Sequence, residues 1–219
     1  MTPREAIMQA IRTNLAASAN LPVHPAATPA NARSSGSSET TDLMPVASFR
    51  ERLESVGGRC VVVSNQEDAT RALTGILAGL QSAKRIAISD APLVSQLLTH
   101  SRFAEMTVCP TASDLFSYDV GISSAQAGIA ETGTLILEAE QERNRFVSLL
   151  PPVHIAIIKA ADIHSTIGDA LAALHTKDEM SRAITFITGP SRTADIELTL
   201  TVGVHGPKEL HVIVIDESD

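Results

Sequence analysis

The run CVVVSNQEDATRALTGILAGLQSAKRIAISDAPLVSQLLTHSRFAEMTVC, residues 60–109, decides the fold. Cys60–Val63 is a short β-branched strand pattern. Glu67–Leu80 follows with Ala69, Leu73, Ile76, Leu77 and Leu80 at helical spacing. Arg85–Ile88 reads as the next strand, Pro92–Leu98 as a helix, and Met106–Cys109 as a third strand. Short apolar strands alternating with helices predict βαβ units and a parallel sheet.

Upstream, Phe49, Leu53 and Val56 predict a helix that stops at Gly57-Gly58. Downstream the chain is richer in strand. Asp119–Ile122 and Thr134–Leu137 flank a small-residue stretch, SSAQAGIAETG, read as a turn. Val153–Ile158, Ile184–Ile187 and Leu210–Ile215 are further strands, and Ser165–Leu174 is a helix. The last strand, ELHVIVID, is apolar on both faces and is expected to be covered on both sides. Residues 193–204 alternate apolar and polar with period two, which predicts one half-buried strand with Asp195 and Glu197 on one face.

Residues 1–17 form an amphipathic helix with Ile7, Ile11 and Leu15 on one stripe. Residues 18–45 are rich in Pro, Ser, Ala, Asn and Thr, the composition of a flexible linker. The globular α/β domain is expected over 46–219.

The chain of 219 residues is 44% hydrophobic but only 3% aromatic, so its core is aliphatic. A net charge of −8 leaves no basic surplus for phosphate backbones, which argues against nucleic acid as a partner. The two cysteines, Cys60 and Cys109, lie in or beside apolar runs and read as buried thiols. They fall short of the thiolate set an iron–sulfur cluster usually takes, so no cluster is expected in this chain. The start of the chain lacks the apolar core of a signal peptide, and no run approaches a membrane span of roughly 18 residues. A cytoplasmic location is expected. No G-x-G-x-x-G, P-loop or H-E-x-x-H motif occurs.

Two motifs carry candidate chemistry. In Gly128–Thr134 a glycine turn leads into a strand, where backbone N–H groups can hold an anion. Thr132, Gly133 and Thr134 are candidate ligand contacts, and Glu131 a base or nucleophile. The alternative is a tight turn with an exposed carboxylate. In Gly189–Glu197, Arg192 offers a fork for a carboxylate, with Ser191 and Asp195 beside it. The alternative is an ion pair of Arg192 with Asp195 or Glu197. His205, in a turn between Val204 and Gly206, is a candidate proton carrier or a capping group. His154 and His211 read as satisfied core groups, His164 and His175 lack a ligand spacing, and no metal site is expected. The charged run Gln141–Phe146 reads as a solvated loop.

The segments GIAETGTLILEAEQERNRFVSLLPPVHIAIIKAADI and SRAITFITGPSRTADIELTLTVGVHGPKELHVIVID resemble the lactate utilization protein C family (LutC/YkgG, the LUD domain). The resemblance covers about residues 46–216. It implies a three-layer α/β sandwich of the NagB/RpiA/CoA transferase-like type. It also implies a part in oxidising L-lactate to pyruvate, with iron–sulfur clusters on partner subunits and a small anionic substrate. The motif positions it matches are Glu131, Thr132, Gly133, Ser191, Arg192, Asp195 and His205. Two other readings stay open: a group-transfer or isomerase enzyme in which Glu131 is nucleophile or base, and a non-catalytic assembly subunit. The two motifs are expected to face one another across a shared cleft.

Overall fold

The computed structural model describes residues 3–18, 45–80, 83, 85–98, 106–175, 181–194, 200–202 and 206–217. The chain divides into two compact units, residues 1–41 and 42–219. The first contains helix α1 (Pro3–Ser18), which leaves Ile7, Met8 and Ile11 exposed.

The second unit runs α2 (Pro45–Ser55), β1 (Arg59–Val63), α3 (Gln66–Gly79), β2 (Ile86–Ile88), α4 (Pro92–Leu98), β3 (Met106–Val108), α5 (Ala112–Leu115) and β4 (Val120–Ser124). It continues with β5 (Ala127–Ile129), β6 (Thr134–Glu138), α6 (Ala139–Glu142), a 3-10 turn (Arg145–Ser148), β7 (Val153–Lys159) and a second 3-10 turn (Ala160–Asp162). β8 (Ile163–His164), α7 (Ile167–His175), β9 (Ile184–Ile187), β10 (Arg192–Ala194), β11 (Leu200–Val202) and β12 (Glu209–Ile215) complete it.

Six strands form one parallel sheet in the order β1-β12-β7-β4-β2-β3. The alternating runs of residues 60–109 supply three of them. β12 lies between β1 and β7 and is buried along nearly its whole length, as its two apolar faces require. A second, four-stranded sheet has the order β8-β5-β6-β9.

Strand alternation sorts the side chains into layers. Ile155, Ile157, Ile213 and Ile215 face Leu73, Leu77, Val94 and Leu97 of α3 and α4. Ala156, Ile158, Val212 and Val214 face the opposite way, onto Phe49 and Leu53 of α2 and Leu135 and Leu137 of the small sheet. The six-stranded sheet is thus the middle of three layers. The outer face of the small sheet is closed by Ala170 and Leu174 of α7 against Ile129 and Ile136.

Two expectations are corrected. The stretch SSAQAGIAETG is not a single turn, because it contains β5. A Cβ at Gly128 would sit 3.1 Å from both Ile158 Cδ1 and Ile163 Cγ1. The close approach of the layers selects small residues there, and these hide the strand's periodicity. Residues 193–204 are likewise not one strand. Arg192 pairs with Val202 and Ala194 with Leu200 in an antiparallel ribbon, so the chain reverses between them. No Gly or Pro marks the reversal, and the alternation continues through it. The expected shared face of Asp195 and Glu197 falls outside the described residues.

Candidate functional site

β6 and β9 pair antiparallel, with Leu135 opposite Ile187, and this brings the AETGT and TGPSR turns side by side. A chain of hydroxyls links them: Thr132 to Thr134 at 2.7 Å and Thr134 to Thr188 at 2.7 Å. The two motifs therefore adjoin, but their glycines serve the end of α2. Gly133 has φ +66, and a Cβ there would lie 2.3 Å from the Leu53 nitrogen and 2.7 Å from its Cα. Gly189 has φ +98 and packs on Val56, whose Cγ2 a Cβ would meet at 2.9 Å. Both positions need glycine for conformation and for room.

The charged residues of the turns are engaged too. Glu131 Oε1 accepts from the Ile167 N–H at 3.0 Å, capping the first turn of α7, where helix N–H groups lack internal partners. Arg192 Nη2 donates to the Val56 carbonyl at 2.7 Å, just past the end of α2. Gly57, at φ +93, leaves room for that guanidinium. Neither anticipated ion pair partner of Arg192 lies among the described residues, and nor does the anticipated proton carrier: Asp195, Glu197 and His205 are all outside them. Ser191 donates its backbone N–H to Pro207 O at 2.8 Å.

Beside these turns is a cleft of about 200 Å³ whose wall includes Ser148, His154, Thr188, Ser191 and Gly206. His154 Nε2 is 2.8 Å from Ser123 Oγ, while its Nδ1 has no hydrogen-bond partner among the described residues. Burial pushes the His154 imidazole down to about 3, so the ring is neutral. His211 is also buried and lowered, chiefly by desolvation; its Nε2 lies 3.4 Å from Glu209 Oε2, off the hydrogen-bonding line. The two core histidines are buried as expected, but neither ring is fully satisfied.

A second constellation lies at the carboxyl ends of the parallel strands. After β2 the chain leaves on the α4 face; after the adjacent β4 it leaves toward β5 on the opposite face. Such a divergence opens a crevice where α/β sheets bind ligands. Here a cavity of about 250 Å³ is lined by Ala91, Pro92, Ser124, Gln126, Gln141 and Lys159, among others.

Beneath it, Glu142 is only 1% exposed. Its carboxylate accepts from Ser124 N at 3.1 Å, from Gln126 Nε2 at 2.7 Å and from Ser124 Oγ. Gln126 is oriented in turn, because its Oε1 accepts from Glu138 N at 2.7 Å. Asn144 ties this segment to the chain after β3 by donating to Pro110 O at 2.8 Å. Gln141–Phe146 is therefore not simply a solvated loop.

Two non-glycine residues among those described have positive φ, Cys109 at 43° and Arg143 at 55°. Both belong to this constellation. Asp90 links them: its Oδ2 is 3.3 Å from Arg143 Nη1, and its backbone and charge act on the Cys109 thiol. Burial raises the Cys109 thiol, with the Asp90 backbone hydrogen bond pulling the other way. Left-handed backbone costs a residue with a Cβ roughly 1–2 kcal/mol; Arg143 adopts it as the C-cap that ends α6, a common helix ending. Cys60, by contrast, is a core thiol pushed up to about 12 by burial. Among the described residues no three His, Cys, Asp or Glu side chains gather as a metal-ligand set, and no helix is long and apolar enough to cross a membrane.

A parallel-sheet α/β domain with a ligand-sized crevice at its switch point is the class these features define. The LUD domain family model matches residues 46–215, and the chain belongs to that family. Similar proteins include an uncharacterized protein of Neisseria meningitidis, 41% identical over 98 residues (44% of this chain, 42% of that protein). Lactate utilization protein C of Macrococcus caseolyticus is 36% identical over 135 residues (53% and 58%). Lactate utilization protein C of Halalkalibacterium halodurans is 40% identical over 103 residues (45% and 45%). The chain thus spans about half the length of the curated relatives it matches. A crystal structure of a DUF162 family protein from Deinococcus radiodurans shares the fold, with TM-score 0.59 and 23% identity over 78% of this chain and 96% of that one.

Proposed function

We propose that this protein serves lactate utilization, as the component without clusters in an iron–sulfur system that oxidises L-lactate to pyruvate. Its own part is to hold a small carboxylate in the crevice at the carboxyl ends of β2, β4 and β7. The observation that carries the site is a cavity of about 250 Å³ with one cation, Lys159, and one carboxylate, Asp162, in its lining, and a second cation, Arg143, in an ion pair nearby. Lys159 lines the cavity and lies 4.0 Å from Glu217; Arg143 pairs with Asp90, next to the lining residue Ala91. Both pairs are solvent-exposed and worth little, so a ligand carboxylate can replace either partner. The relatives named lactate utilization protein C support the metabolic role. The electrons leave through clusters on partner subunits, since two cysteines fall short of the usual cluster ligand set.

A second reading is favoured by Glu142, a carboxylate buried under the crevice and held by three donors. In a group-transfer or isomerase reaction it, rather than Glu131, is the carboxylate placed to act as base or nucleophile. Calorimetric titration with L-lactate, pyruvate and an acyl-CoA thioester separates the two. The first reading expects lactate or pyruvate to bind and Lys159→Ala to weaken binding about tenfold, ~1.4 kcal/mol. It expects Glu142→Gln to leave that binding in place. Turnover of the thioester that disappears in Glu142→Gln would establish the second reading instead. Wild-type protein that binds neither acid overturns the first.

A further inference from the structure

The cleft beside the TGPSR turn differs in chemistry from the crevice at the strand ends. It opens at the start of β7 and β12, on the face of the sheet turned to α2, where His154 and Leu210 are register partners. Among the described residues its lining contains no Lys, Arg, Asp or Glu. The polar groups on its wall are the hydroxyls of Ser148, Thr188 and Ser191 and the imidazole of His154. Leu149, Phe186 and Leu210 supply apolar surface. Thr188 ends the hydroxyl chain from Thr132, and Ser148 already donates to Arg145 O at 2.8 Å. His154, 1% exposed, keeps one ring nitrogen without a partner among the described residues. Buried polar atoms are rarely left so, and an orphan of this kind calls for a water or a ligand.

We propose that this cleft is a second binding site, taking a small uncharged molecule with an amide or hydroxyl head and a short apolar body. The reasoning rests on His154 and the neutrality of the wall. If Ser123 Oγ–H donates to His154 Nε2, then Nδ1 carries the proton and donates to the ligand. In the other tautomer Nδ1 accepts. An amide or a hydroxyl meets either case, because each can donate and accept. A carboxylate meets only the first, and among the described lining residues no cation compensates its desolvation. The imidazole stays neutral because burial opposes its protonation. The site is independent of the carboxylate crevice, and either can exist without the other.

The test is amide and imidazole nitrogen NMR on the full chain, titrated with propionamide and 2-butanol, with propionate as the charged isostere. Expected are saturable shifts at the Ser191 and Gly206 amides and at the His154 ring nitrogens with the uncharged probes, absent with propionate. Ser191→Leu, which fills the cleft, abolishes them. The His154 signal in unaltered protein decides the matter if that variant fails to fold. No shift at His154, or an equal shift with propionate, overturns the proposal. Shifts confined to Ser124 and Gln126 belong to the other crevice and overturn it equally.

Discussion

The glycine turns and the strand-end crevice solve opposite problems with the same backbone region. In the turns, positive φ is given to Gly57, Gly133 and Gly189, at no steric cost, so that the chain can press on α2. In the crevice, positive φ falls on Cys109 and on Arg143, the C-cap that ends α6, and on residues with a Cβ it costs energy. The first arrangement is what a fold does to fit its layers together. The second is partly how a short helix ends, since a left-handed cap at Arg143 closes α6. For the carboxylate site proposed above, a motif rich in glycine is the weaker guide and the charged segment Gln141–Phe146 the stronger one.

The sharpest way to break that comparison is Gly133→Ala. The new methyl would meet the backbone of Leu53 in a left-handed conformation. Overpacking of about 1–3 kcal/mol adds to roughly 1–2 kcal/mol of conformational cost, so a loss of about 4 kcal/mol is expected in urea unfolding. A loss below about 1 kcal/mol would mean the turn is free to serve a ligand instead.

Next in size is an acid-dependent effect from the cleft beside the turns. The His154 imidazole is lowered from 6.5 to about 3 in the folded state. Above 6.5 neither state binds the proton. Between 6.5 and 3 the unfolded chain binds it and the folded chain does not, so stability falls as pH falls. The slope approaches about 1.4 kcal/mol per pH unit. His154→Gln should flatten this acid limb, measured as urea midpoints from about pH 7 to about pH 4. An unchanged limb would show that the ring is accessible to protons when folded.

The smallest effect is the most telling for the crevice. Arg143→Gly relieves roughly 1–2 kcal/mol of backbone strain and removes an exposed ion pair worth at most about 1 kcal/mol. Stability should hold or rise by up to about 2 kcal/mol, while affinity for a carboxylate falls. A loss as large as that of Gly133→Ala would erase the distinction between the two regions.

Much of the architecture was legible because parallel strands are short apolar runs and amphipathic helices carry their own period. Cys60–Cys109 announced three strands and two helices, and ELHVIVID announced a strand buried on both faces. β5 escaped because close layer packing selects Ala and Gly, which carry no period. The β10–β11 reversal escaped because its alternation runs on without Gly or Pro. The site was harder. Positive φ at Cys109 and Arg143 leaves no compositional trace, and the burial of Glu142 depends on Ser124 and Gln126, which arrive from another strand end. The signal available was the charged run Gln141–Phe146 directly after a buried strand. Charge alone reads as solvation there.

The order β1-β12-β7 also bears on how the chain is made. Arg59 pairs with His211, and Val153 with Glu209, so the last strand slides between two that were synthesised long before it. Until it arrives, β1 and β7 have a vacant lane between them, and their Val- and Ile-rich edges are open to other chains. Pairings so distant in sequence close slowly, and unpaired edges invite association in the meantime. During synthesis the passage from Val153 to Ile215 is therefore the interval in which this domain most depends on staying unentangled.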